Sequence, residues 1–240
     1  MHDPRKFRLA RQWSNRELRE IACLVTGDVV NVSAGEDVDK EGSRYSCYFH
    51  RADSYSLTNY KDGTFRGFRG RDNEYQLELT SDLPPELSGR FDAALNHKTL
   101  EHVFDVNMAF RNLCELSSDL VIVIVPFCQQ QHEEPDYGDY WRFTPSCMRK
   151  LFEVNEMEVV YEAANNEFNV ATYLLFVGSK HPERWRSLMP AWAPIYPAAS
   201  WVGDSPWKEW NRKLARKLNV LSRLRPVAKT EPGASREHAA

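Results

Sequence analysis

Several common features are missing from this 240-residue chain, and each absence narrows its function. There is no CxxC pair. The five cysteines (Cys23, Cys47, Cys114, Cys128, Cys147) are odd in number and scattered. That argues against a disulfide framework or a cysteine zinc site, and for a reducing, cytoplasmic compartment. There is no long apolar run either: Leu120 to Phe127 is the longest, and it is far too short to span a bilayer. The charged N-terminus, MHDPRKFRLARQW, has no apolar h-region, so no signal peptide is read there. Neither sign of charge dominates, with 31 Lys and Arg against 34 Asp and Glu and a net charge of -3. A wholly basic nucleic-acid binder is therefore not expected. Finally, the loop after the first predicted strand lacks the GxGxxG spacing of dinucleotide-binding folds.

What is present suits one α/β domain with extensions. With 42% hydrophobic and 27% charged residues, the chain can build a real core. Ser14 and Glu17 form a capping-box pattern ahead of the stripe Leu18, Ile21, Ala22 and Leu24. Strands are predicted at Asp28 to Ala34, Ser54 to Asn59, Tyr75 to Leu79, Phe91 to Asn96 and Leu120 to Val125. The last of these, LVIVIV, is β-branched on both faces, as in a central parallel strand covered by helices. Asp105 is positioned to cap one helix and Thr144, followed by Pro145, another. Glu158 to Tyr161 and Ala171 to Val177 are expected to close the sheet as an antiparallel pair. Strand and helix alternate over residues 14 to 180, which predicts a doubly wound sheet. The organisation expected is an N-terminal helical extension (1–27), the α/β domain (28–180), and a Trp/Pro-rich cover with a basic amphipathic helix and disordered tail (181–240).

The chemistry is concentrated between Phe91 and Pro145. A strand ends there in the polar cluster Asn96, His97, Lys98, Glu101 and His102. A second strand runs into a loop dense in His, Asp, Tyr, Trp and Arg. Two neighbouring strands with chemically rich C-terminal ends are what an open α/β sheet presents to a ligand. The loop after the first strand, SAGEDVDKEG, carries Glu36, Asp37, Asp39 and Glu41. Carboxylates there disfavour pyrophosphate, and so disfavour an NAD-dependent oxidoreductase. They would tolerate S-adenosylmethionine (SAM), which has an ammonium, a sulfonium and no phosphate; a solvated acidic turn is the other reading.

VVNVSAG with DKEG, YSLTNY, FDAALN with TLEHV, and HEEPDYGDYWRFTP together carry a resemblance. Over residues 28 to 178 the chain resembles class I SAM-dependent methyltransferases, in a branch associated with glycan and natural-product biosynthesis. The resemblance implies a Rossmann-like, seven-stranded, mostly parallel sheet with an antiparallel last strand. SAM would lie across the ends of strands one, two and four. Ser33, Ala34 and Gly35 would line its methionine end, and Asn59 would meet the ribose where an acidic residue is usual. Glu78 and Leu79 would touch the adenine, with Asn96 and His97 beside the methyl.

Methyl transfer to a hydroxyl also needs a base, and a histidine suits that role near neutral pH. His132 is the leading candidate, with Asp139 close in sequence; His132, His97 and Asp139 make up the catalytic set. His102, Tyr140 and Arg142 are expected at the acceptor, Arg142 either holding an anionic group or pairing within the loop. No metal site is expected, because His132, Glu133, Glu134, Asp136 and Asp139 lack regular ligand spacing. Trp207 to Leu224, with Trp and Leu beneath a Lys/Arg face, allows a peripheral membrane contact. The activity expected is O-methylation of a small or glycan-type acceptor. The alternative is an inactive methyltransferase-like binding or scaffold protein.

Overall fold

A computed structural model describes residues 4–63, 66–133, 137–165 and 171–195, with the side chains of 4–8 left aside. The chain divides into two units, Met1–Trp201 and Val202–Ala240. All of the second unit lies outside the described residues, and with it the basic helix expected at Trp207 to Leu224. Seven strands form one sheet: β1 (Gly27–Val32), β2 (Ala52–Asn59), β3 (Glu74–Gln76), β4 (Phe91–His97), β5 (Ser117–Pro126), β6 (Glu158–Ala164) and β7 (Tyr173–Ser179). Their order is β3-β2-β1-β4-β5-β7-β6. The first five run parallel, while β7 pairs antiparallel with both β5 and β6. The doubly wound, mostly parallel sheet with an antiparallel last strand is therefore present.

Strand β5 sits near the centre because both its faces need cover. Val121, Val123 and Val125 pack with helices α2 (Val106–Leu116) and α3 (Pro145–Val154). Leu120, Ile122 and Ile124 pack on the other face with α1 (Pro4–Ala22). The caps form as the sequence predicts: Asp105 accepts from the Met108 amide at 3.1 Å, and Thr144 Oγ1 from the Cys147 amide at 3.1 Å. Such caps contribute about 1 kcal/mol each. They set the directions in which α2 and α3 leave the ends of β4 and β5.

Two expectations fail. The first helix begins at Pro4, not at a Ser14 cap. Ser14 lies inside it and donates to the Arg11 carbonyl at 2.9 Å, while Glu17 accepts from the Tyr161 hydroxyl at 2.8 Å. The buried stripe Ala10, Trp13, Leu18 and Ile21 carries the helix through the local stop signal. Alternation also fails in the first half of the sheet. Between β1 and β2 there is only a 3-10 turn, Tyr45–Tyr48, and between β3 and β4 only Pro85–Leu87. Tyr45, Tyr48 and Phe49, packed with α1, cover the face that a crossover helix would otherwise occupy. The short β3 leaves Leu77 to Thr80 as loop at its C-terminal end. Beyond the sheet, Trp185 and Met189 pack onto the α1 face, and the Ile195 carbonyl accepts from Arg149 at 3.0 Å.

Candidate active site

A cleft of about 820 Å³ lies across the C-terminal strand ends. Its walls include Ser33 after β1, Tyr60 after β2, Glu78 and Leu79 after β3, and Thr99, His102 and Phe104 after β4. Glu133, Gly138 and Tyr140 close it from the loop after β5. Among the described residues, Glu78, Asp105 and Glu133 line it, and no lysine or arginine does. The ends of β1 and β4 both turn through the left-handed region without glycine, at Ser33 (φ 58°) and Lys98 (φ 59°). A non-glycine residue there costs about 1–2 kcal/mol, a strain that tends to gather at binding sites.

In the loop after β1, Asp37 and Asp39 are buried, while Glu36 and Glu41 are exposed. Asp37 accepts from Asn31 and the Tyr55 hydroxyl, each at 2.9 Å. Asp39 accepts from the Glu41 and Ser43 amides and the Tyr48 hydroxyl. Glu36 pairs with Arg71 at 2.6 Å and Glu41 with Asn15 at 2.9 Å. Asp37 and Asp39 are thus internal structure, Glu36 and Glu41 are paired at the surface, and the carboxylates that line the cleft are Glu78, Asp105 and Glu133. Asn59 is buried, and its amide is spent: Oδ1 accepts from the Gly35 amide at 2.7 Å, and Nδ2 donates to Glu74 Oε1 at 2.6 Å and the Gly35 carbonyl at 3.3 Å. It latches Gly35 and does not offer its side chain to a ribose. Gly35 (φ 58°) has Arg66 packed against it: an added Cβ would lie 3.1 Å from the Arg66 Cβ. Ala34 donates to the Thr58 carbonyl at 3.0 Å and leaves Ser33 at the cleft wall. Glu78 directs one oxygen to Thr80, at 2.8 Å to Oγ1.

At the end of β4, Asn96 is buried. Its Nδ2 donates to the Val32 carbonyl at 3.1 Å, and its Oδ1 has no partner among the described residues. The His97 ring packs on Tyr45, centroids 5.1 Å apart, with Nε2 buried and without a hydrogen-bond partner among the described residues. Burial and the nearby Arg11 and Lys98 charges hold His97 far below the ordinary histidine range. It is a neutral wall and a poor proton acceptor. Burial and Arg11 likewise bring the Lys98 ammonium down to about 7; it donates to Tyr173 Oη at 2.8 Å.

The loop after β5 is built by Asp139 and Arg142. Both Asp139 oxygens accept from the Arg142 fork, at 2.5 and 2.6 Å, and Oδ2 also accepts from the His132 amide at 2.7 Å. Burial alone would raise this carboxyl, but those bonds outweigh it and hold it at about 2. Arg142 further donates to the Gln129, Gln130 and Trp141 carbonyls. Its donors are committed inside the loop, so an acceptor carboxylate or phosphate does not bind there. Asp139, fully bonded and strongly acidic, is not a proton acceptor. Both residues position the loop. Trp141 Nε1 donates to the Val103 carbonyl at 3.0 Å, and Phe143 enters the core.

The structure brings His102 and His132 together, with ring centroids 4.8 Å apart. His102 Nδ1 lies 2.6 Å from the Gly138 carbonyl, and His132 Nδ1 lies 3.3 Å from Asp139 Oδ2. Burial lowers both histidines from their ordinary value, so they are neutral near pH 7. Glu101, which the sequence placed in a polar cluster without a role, is fully buried beside them. Neither of its carboxylate oxygens has a hydrogen bond among the described residues. Burial raises its carboxyl, opposed by Lys98 and His102.

No protein-family model matches the chain, and no curated protein sequence does. Solved structures do. One is the Burkholderia thailandensis 1,6-didemethyltoxoflavin-N1-methyltransferase, solved with 1,6-didemethyltoxoflavin and S-adenosylhomocysteine. It is 14% identical with TM-score 0.50, over 75% of this chain and 91% of that one. A putative methyltransferase from Bacillus halodurans is 11% identical with TM-score 0.50, over 69% and 97%. The strand order and these neighbours agree. The chain has the class I methyltransferase fold.

Within that fold, Ser33, Glu78 and Leu79 line the cleft, and so do His102 and Tyr140. Tyr60, Leu77, Thr99 and Phe104 line it too, and the sequence analysis missed them. Tyr60, Thr99 and Phe104 sit one to eight residues beyond predicted strand ends, so reading past each strand would have found them; Leu77 lay inside the predicted third strand, which ends early at Gln76. No helix among the described residues is long and apolar enough to cross a membrane.

Proposed function

We propose that the chain is a SAM-dependent methyltransferase acting on a hydroxyl of a small-molecule or glycan-type acceptor. The observation that supports this most is the cleft itself, which lies at the strand ends of a methyltransferase fold and, among the described residues, is lined by three carboxylates and no basic side chain but His102. A cationic ligand without phosphate suits such a lining, whereas a nucleotide phosphate does not. The residues fit SAM on most sides. Glu78 retains an acceptor oxygen and Leu79 an apolar surface for adenine. Ser33 to Gly35 turn tightly for the methionine end, near Asn96 Oδ1, a buried acceptor without a partner. Asn59 does not fit as the ribose contact, being bound to Gly35 and Glu74. SAM, when bound, supplies an electrophilic methyl group.

The chain's own contribution is alignment and proton handling. Tyr140 and Phe104, ring centroids 5.4 Å apart, would shield the acceptor side of the cleft. The neutral His102 and His132 pair would take the acceptor's proton, His102 from the cleft wall and His132 behind it. Asp139 fixes His132 through its amide, and Gly138 fixes the His102 ring. The latch between Gly35 and Asn59 favours a second reading, a protein that binds in the cleft without transferring methyl. Calorimetry and melting with SAM and S-adenosylhomocysteine separate the two. A ligand at 100 times its Kd adds about 2.7 kcal/mol, which raises Tm by about 5–10 °C for a domain of this size. No binding and no shift at millimolar ligand overturns the SAM reading. Binding without transfer to any hydroxyl acceptor supports the binding-protein reading.

A further inference from the structure

Glu101, His102 and His132 come from two loops, yet their ligand atoms lie within 4.8 Å of one another. We infer that they form a site for a divalent ion of the zinc class, with open positions toward the cleft. Four features support this. First, Glu101 is fully buried, and neither oxygen is hydrogen-bonded among the described residues. A buried carboxylate left this way is costly unless a cation meets it. The Lys98 charge acts on Glu101 only at a distance, since its hydrogen bond goes to Tyr173 Oη.

Second, His102 donates Nδ1–H to the Gly138 carbonyl at 2.6 Å. The lone pair is thereby left on Nε2, which is 3.9 Å from Glu101 Oε1. Third, Asp139 Oδ2, anchored by Arg142, accepts from the His132 amide at 2.7 Å, and the Gln129 side-chain amide lies 3.2 Å from His132 Nδ1. A backbone carbonyl behind an imidazole, as at His102, is a support that metal-binding histidines use to fix tautomer and direction, and Gln129 with Asp139 holds His132 in place. Fourth, the Tyr140 amide bonds the Glu101 carbonyl at 2.8 Å, tying the His132 loop to the turn that carries Glu101 and His102.

Two imidazoles and one carboxylate suit Zn²⁺, Co²⁺, Fe²⁺ or Mn²⁺ better than Mg²⁺ or Ca²⁺, which prefer all-oxygen shells. Tetrahedral ligands at 2.0–2.1 Å from an ion stand about 3.4 Å apart. The widest separation here must therefore close by about 1.4 Å, within the reach of side-chain rotation on a loop. His102 lines the cleft, so an open position would face the acceptor. If the methyl-transfer reading holds, a hydroxyl ligated there becomes more acidic. The ion would then lower the hydroxyl's pKa enough for its proton to pass to water in the cleft, in place of transfer to the histidine pair. The acceptor class implied is one whose reacting oxygen can bind a metal, such as a diol or a hydroxy acid. The site itself does not rest on that reading.

The test uses the full chain stripped by chelator, without SAM or acceptor. Co²⁺ is titrated while its visible d–d absorption is followed, and Zn²⁺ by calorimetry. One equivalent should bind. Glu101→Gln, which keeps the side chain's volume, and His102→Ala should each abolish the Co²⁺ spectrum. Asp139→Asn, acting through His132, should weaken binding about 10–100-fold. No stoichiometric binding to folded wild-type chain, checked by circular dichroism, overturns the inference. So does binding that Glu101→Gln and His102→Ala leave unchanged, since the metal then sits elsewhere. SAM binding is measured separately on metal-free protein, so either reading can fail without the other.

Discussion

Replacing Asp139 by asparagine isolates what holds the loop after β5. The carboxyl sits at about 2 instead of 3.8, because bonds from Arg142 and the His132 amide outweigh its burial. At about 1.4 kcal/mol for each pH unit, the gap sets a ceiling of about 2.5 kcal/mol on what ionisation contributes. Arg142 is 26% exposed, and the loop borders an open cleft. Solvent screening should leave about 1–2 kcal/mol. The sign follows from the direction of the shift. A depressed carboxyl stabilises the fold fully above its unfolded value and loses that contribution as pH falls toward its folded value. Wild type should therefore exceed Asp139→Asn by about 3–6 °C in Tm at pH 7. The gap should narrow steadily from pH 4 downward. Urea unfolding at a series of pH values from 3 to 7 gives the same comparison as free energies. A gap that stays constant across that range, or no gap at pH 7, would refute the assignment of Asp139 as the loop's ionic anchor. Arg142→Lys should recover little, since an ammonium cannot span both oxygens.

Asn59→Asp restores the acidic residue usual in the family that the sequence resembles, yet here it should harm the protein. The new carboxylate would face Glu74 across 2.6 Å in a buried setting and lose the donor to it. The expected cost is about 2–4 kcal/mol at pH 7 by urea unfolding, partly relieved near pH 5 as one carboxyl takes a proton. Stability equal to wild type at both pH values would mean that Asn59 is not the latch. Gly178→Ala tests close packing of β7 on α3, because an added Cβ would lie 2.3 Å from two Phe152 ring carbons. A loss of about 1–3 kcal/mol is expected, and Phe152→Leu in the same chain should relieve part of it; strictly additive losses in a double-mutant cycle would contradict this.

The sequence by itself determined the elements whose causes are local. LVIVIV marks β5 because its alternate residues must be buried on both faces, and both are. Asp105 and Thr144 mark helix starts because a side-chain oxygen satisfies an amide three residues ahead, whatever lies beyond. The polar ends of β4 and β5 showed where a ligand site belongs. Tertiary structure decided the rest, because it depends on which groups face one another. Ser14 and Glu17 match a cap, but packing of Ala10 and Trp13 extends the helix past them. Arg142 was open to two roles until Asp139 took its fork. Asn59 could serve a ribose or a loop, and Glu74 and Gly35 claim it. Glu101 was one polar residue in a cluster, and only the crossing of two loops set its unpartnered carboxylate beside two histidines. A local signal names a group's chemistry; the partner that uses it is chosen across the sheet, where spacing along the chain carries no information.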